Sequence, residues 1–126
     1  MSHSRAFAAL ALGAGLLAAV PALGGAHVVF SVIVGPDYAY GSLDGARASA
    51  NTTEQLGCLT NGYPGGAYGF CRATSAAGVN LTCYTFDPSI IGAIRTIDSE
   101  SYVTFYADKG GMCTMVSIDT NSVYKP

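Results

Sequence analysis

Three cysteines recur at nearly one interval, Cys58, Cys71 and Cys83, with a glycine-containing turn between each and the next. A strand, a turn and a returning strand take up about that length, since strands usually run roughly 3–10 residues. Gly57 to Cys83 therefore predicts three consecutive antiparallel strands, each with a cysteine near its centre. Asn61 to Gly66 and Ser75 to Gly78 are the expected turns.

The same logic extends along the chain. His27 to Val34 is β-branched and almost wholly apolar, so it predicts a buried strand. Tyr38 to Leu43 predicts a short strand or an extended connection, and Asp44 to Asn51 a short helix weakened by Gly45. Asp87-Pro88-Ser89 reads as a helix start, with Asp87 or Ser89 as cap and Pro88 in the first turn. Ile90, Ile91 and Ile94 then share a helical face. Tyr102 to Ala107 and Met112 to Thr120 predict a last hairpin around Asp108 to Gly111. The expected fold is mainly β: an antiparallel meander and hairpin sheet of about five to six strands with one or two short helices.

Turn centres set an expected register. Cys58 falls opposite Cys71, Cys71 opposite Cys83, and Phe105 opposite Cys113. Alternation then puts Leu56, Cys58, Cys71, Ala73, Leu81, Cys83, Val103, Phe105, Cys113 and Met115 on one core face. The opposite face carries Tyr68, Phe70, Arg72, Tyr84, Phe86, Tyr102 and Tyr106. It needs cover from the N-terminal strand, the helix or a partner.

Met1 to Ala26 reads as a secretory signal peptide: His3 and Arg5, an apolar run from Ala6 to Val20, then Pro21 and small residues at Gly24-Gly25-Ala26. The run is shorter than the roughly 20 residues a membrane span needs. Residues 27–126 are then expected as one disulfide-stapled domain, secreted or periplasmic, with no membrane span after cleavage. A domain of that size buries only about two-thirds of its unfolded surface, so staples help it.

All four cysteines, Cys58, Cys71, Cys83 and Cys113, lie in that part, and an even count in an exported chain implies two disulfides. No Cys-x-x-Cys knuckle or Cys/His pair suggests zinc, and neither metal nor cofactor is expected. Strands two apart lie about 10 Å from each other, too far for Cys58 to reach Cys83 in a flat sheet. Two pairings survive: Cys58–Cys71 with Cys83–Cys113, and Cys71–Cys83 with Cys58–Cys113. The first is the simpler in sequence order.

Composition excludes more than it assigns. Residues 27–126 hold five basic and eight acidic groups, a formal charge of 5 − 8 = −3. Without basic clusters, neither nucleic acid nor anionic membrane is an expected partner. His27 is the one histidine there, so a copper-binding histidine brace lacks its second imidazole. A Ser-His-Asp arrangement would have to use His27 at a chain end. Asp98 and Glu100 are the nearest approach to a carboxylate pair, though surface pairs of this kind are common. Asp37, Asp44, Asp87 and Asp108 form no calcium-loop pattern. Asn51 and Asn80 open glycosylation sequons, which matter only in a eukaryotic secretory pathway. No catalytic residue is assigned.

The tyrosines carry the binding expectation. All eight lie after residue 26, and tyrosine suits recognition surfaces because it is large, rigid and amphipathic. Tyr63, Tyr68, Tyr84, Tyr102 and Tyr106 are the candidate binding residues. The plainer reading is that tyrosine is a good strand former with its hydroxyl in water. Gly41-Ser42, Ala46-Arg47-x-Ser49, Gly57-Cys58 opening a cysteine meander, and the late hairpin of Tyr102, Phe105 and Cys113 together resemble small secreted bacterial proteins of unknown function. That resemblance spans most of residues 39–126. It implies export and a fold, and it transfers no active site.

The expected function is a secreted, non-enzymatic β module. It would bind an extracellular protein or glycan, or copies of itself, through an aromatic face or an edge strand. The alternatives are a protease inhibitor presenting residues 61–67 as a disulfide-flanked loop, and a small hydrolase using Asp98 or Glu100.

Overall fold

The computed structural model describes residues 26–125. The signal-peptide reading falls, but for Ala26, on residues outside that range. Among the described residues, no helix is long and apolar enough to cross a membrane.

The chain forms two antiparallel sheets rather than one. The meander supplies the three-stranded sheet: β3 (Gln55–Tyr63), β4 (Gly66–Thr74) and β5 (Asn80–Thr85), in that order. The other sheet has four strands, in the order β1 (Ile33–Val34), β2 (Tyr38–Ser42), β6 (Tyr102–Ala107) and β7 (Cys113–Asp119). Helix α1 (Leu43–Ala48) follows β2, α2 (Pro88–Ile94) follows β5, and a short 3₁₀ turn covers Ser122–Tyr124.

Cys58 faces Cys71 and Cys71 faces Cys83, as the turn centres predict. The first turn is tighter than expected, because the strands run on through Asn61–Tyr63 and resume at Gly66. Only Pro64 and Gly65 remain between them. Pro64 presets the first corner, and Gly65 adopts φ +89° at the second, a conformation open to glycine at no steric cost.

One predicted register is wrong. Phe105 pairs with Val116, and Cys113 pairs with Ala107. The ladder shifts between Tyr106 and Ala107, leaving Thr114 unpaired as a bulge. That extra residue turns Met115 out to solvent opposite Tyr106 and puts Val116 in the core. The remaining residues of the predicted core face are buried in the core or packed against it.

The shared core sits between the sheets. Ala39, Phe105 and Ala107 from one meet Cys71, Ala73 and Cys83 from the other. Helix α2 seals the hairpin end. Asp87 caps it by accepting hydrogen bonds from the Ser89 and Ile90 amides, and Ile91 and Ile94 point inward. They lie over Gly69, where a Cβ would come within 2.7 Å of Ile94 Cδ1. The disulfides are Cys58–Cys71, between β3 and β4, and Cys83–Cys113, between the two sheets.

The N-terminal stretch is a strap, not a buried strand. Only Ile33 and Val34 pair, with Tyr40 and Ala39. Val28, Val29 and Phe30 are exposed, and Val32 alone is buried. Its backbone bonds elsewhere: Val28 N–H to the Val123 carbonyl, Phe30 N–H to Ser42 Oγ, and Val32 N–H to Glu54 Oε1 at 2.7 Å. With those groups satisfied by side chains and the C-terminal turn, no long neighbouring strand is required.

Candidate aromatic surface

Alternation places two aromatic outer faces on opposite sides of the core, where a single-sheet reading expects one. Tyr102 and Tyr106 belong to the four-stranded sheet, while Tyr63, Tyr68 and Tyr84 belong to the three-stranded one. The five candidates are therefore not brought together.

On the four-stranded sheet the rings pack on one another. Tyr106 to Tyr38, Tyr38 to Tyr40, Tyr40 to Tyr102 and Tyr102 to Tyr124 have centroids 6.1, 6.1, 6.3 and 5.2 Å apart. Phe30 from the strap lies 5.3 Å from Tyr102. Burial, with the neighbouring phenols of Tyr40 and Tyr124, pushes the Tyr102 hydroxyl above its ordinary pKa. Such a cluster is largely self-covering. Phe30, Tyr38, Tyr40 and Tyr124 are absent from the expected set, although the period-two spacing of Tyr38 and Tyr40 signals a shared face.

The three-stranded sheet is the open one. Leu59, Phe70 and Tyr84 form a row across its strands, and the Phe70 and Tyr84 rings lie 4.7 Å apart. Tyr68 sits beside Phe86 at 6.5 Å and accepts a hydrogen bond from the Asn61 amide at 2.9 Å. Arg72 lies over the Phe70 ring at 5.9 Å. Leu59 is 47% exposed, Tyr84 49%, Tyr63 51% and Phe86 61%, against 38% for Tyr106. Across these three strands Arg72 is the only charged residue.

Two concavities mark this sheet. One is a shallow groove of about 430 Å³ over Gly57, walled by Leu59, Phe70, Arg72 and Gln55. The other, of about 450 Å³, lies between the hairpin tip and α2, lined by Tyr63, Ala67, Phe86, Pro88, Ile91 and Arg95. Phe86 and Arg95 join Tyr63 only because α2 folds back under the hairpin, which no local pattern announces.

The chemistry-bearing side chains have structural partners. His27 Nε2 lies 3.1 Å from Asp44 Oδ2, which ties the strap to α1. Asp98 meets Lys125 at 3.0 Å, accepts from the Ser101 hydroxyl and the Glu100 amide, and is held below its ordinary pKa chiefly by Lys125. Glu100 turns to Arg47 at 3.9 Å. A carboxyl held ionised in this way is poorly suited to general-acid work. The sulfurs of Cys71, Cys83 and Cys113 lie within 4.8 Å of one another, but each belongs to a disulfide. Residues 61–67 are strand on both sides of a two-residue turn, so they offer no extended inhibitory loop.

No protein-family model, curated protein or solved structure matches this chain.

Proposed function

We propose that this chain is a secreted, non-enzymatic β module that binds a neutral polysaccharide through the outer face of its three-stranded sheet. The observation that carries this is the open apolar row of exposed Leu59, half-buried Phe70 and exposed Tyr84, continued by half-buried Tyr68 and exposed Phe86. Flat rings offer apolar platforms to the C–H faces of sugar rings, while Asn61, Arg72 and the tyrosine hydroxyls supply hydrogen bonds at the margin. With one cation and no carboxylate on those strands, the face suits a neutral ligand better than a charged one. Two disulfides and an apolar N-terminal stretch support export.

Co-sedimentation with insoluble cellulose, chitin and mannan tests the reading. The protein should pellet with at least one, Tyr84→Ala and Phe86→Ala should reduce the bound fraction, and Tyr106→Ala should not. No pelleting with any of them, or equal loss from all three variants, counts against it.

A further inference from the structure

We propose that β3 is a dimer edge, pairing antiparallel with β3 of a second copy of this chain about a two-fold axis at Thr60. The inference goes beyond the polysaccharide reading and does not depend on it.

β3 is the free edge of its sheet. Tyr63 and Gly66 close a two-residue hairpin, and such a closing pair exchanges its hydrogen bonds within the hairpin. Cys58 and Cys71 lie 4.0 Å apart at Cα, the close spacing of a pair that exchanges none. Both observations give one phase. Gly57, Leu59, Asn61 and Tyr63 bond to β4, while Leu56, Cys58, Thr60 and Gly62 direct N–H and C=O to the open side. Among the described residues, those outward groups have no hydrogen-bond partner.

Edges of this kind are normally blunted by lysine, proline, a bulge or inward-facing charge. Gln55–Tyr63 has none of these, so nothing repels a second copy. A two-fold axis at Thr60 pairs Cys58 with Gly62 of the second copy and Thr60 with Thr60, satisfying every outward group from Cys58 to Gly62. Leu56 then meets Pro64, which has no N–H, and pairing stops there.

The side chains favour the same register. It sets Tyr63 of each copy opposite Gly57 of the other. Gly57 has open space where a Cβ would be, and the groove lies directly above it. Tyr63 is exposed, and its ring now leans over Gly66 of its own hairpin. Rotation about χ1 carries that ring over Gly57 of the second copy, a cross-strand aromatic–glycine pair. Each copy supplies one ring and one groove, as an isologous interface requires.

Sedimentation equilibrium of the purified protein tests this. Twice the chain mass is expected. Thr60→Pro, which removes an N–H that β4 does not use, should return the mass to that of one chain, and Gly57→Val should weaken pairing at least tenfold. Circular dichroism of both variants confirms that the fold persists. Mild oxidation should cross-link Leu59→Cys protein to Asn61→Cys protein in a mixture, since these face each other as a narrow pair across the axis, but should not cross-link Leu59→Cys to itself. A monomer at high micromolar concentration, a dimer insensitive to both substitutions, or cross-linking of Leu59→Cys to itself in place of the mixed pair would overturn the proposal. Because mass is read without glycan, failure here leaves the polysaccharide reading to its own test.

Discussion

Cys71 and Cys83 stand opposite each other across β4 and β5, yet each is bonded elsewhere. Ladder phase explains the choice. On a central strand each residue directs both backbone groups to one side, so Cys71, narrowly spaced from Cys58, forms the wide hydrogen-bonded pair with Cys83. The Tyr84 amide confirms the phase by leaving β4 for the Gly111 carbonyl at 2.9 Å. The narrow pair closes one bridge within the meander. Cys83 is left to reach Cys113 and clamp the two sheets.

The two bridges should therefore differ in worth. Cys58–Cys71 spans a separation of 13 residues and Cys83–Cys113 one of 30. Loop entropy alone gives about 3 and about 3.5 kcal/mol. The second bridge also holds the sheets together, so a Cys83→Ala, Cys113→Ala variant should lose more stability than Cys58→Ala, Cys71→Ala. Urea unfolding of the two double variants compares them directly.

Ser42 is fully buried and serves two elements. Its Oγ accepts from the Gly45 amide, capping α1, and from the Phe30 amide, holding the strap, each at 2.9 Å. Ser42→Ala should cost about 1–3 kcal/mol in thermal unfolding, since it leaves buried amides unpaired. Hydrogen exchange at Phe30 should rise with it.

Gly45 sits against that strap. A Cβ there would collide with the Phe30 carbonyl oxygen and Ser42 Oγ. Helix propensity favours Gly45→Ala, yet packing opposes it by about 1–3 kcal/mol, and packing should win. A lowered melting temperature checks this.

Acid should loosen the strap. Glu54 is held below the ordinary value of 4.5, first by the Asn51 side chain and then by the Val32 amide. Its folded pKa is depressed, so its contribution is present above the unfolded value and lost as pH falls through the folded one. Exchange protection at Val32 should drop below pH 4.5, and Glu54→Gln should flatten that dependence. Asp98 follows the same sign below 3.8 through Lys125 and Ser101.

How much was legible in the residues follows from range. The meander, its cysteine register, the Asp87 cap and the inward isoleucines are local, and spacing carried them. Two sheets in place of one depend on β2 pairing with β6, a contact between distant segments. The apolar strap reads as a strand because periodicity cannot see that Ser42 and Glu54 satisfy its backbone. The Thr114 bulge, one extra residue within β7, moved Met115 outside and Val116 inside. Tyr63, Tyr68 and Tyr84 were found by type and Phe86 by alternation, whereas Arg95 needed the fold to bring α2 beneath the hairpin.

The most direct measurement is an NMR titration of isotope-labelled protein with soluble chitin, cellulose and mannan fragments. Binding through the open aromatic face predicts saturable shifts at Leu59, Phe70, Arg72, Tyr84 and Phe86, with Tyr38, Tyr40 and Tyr106 unmoved. Shifts confined to the tyrosines of the four-stranded sheet, or none with any fragment, would contradict it.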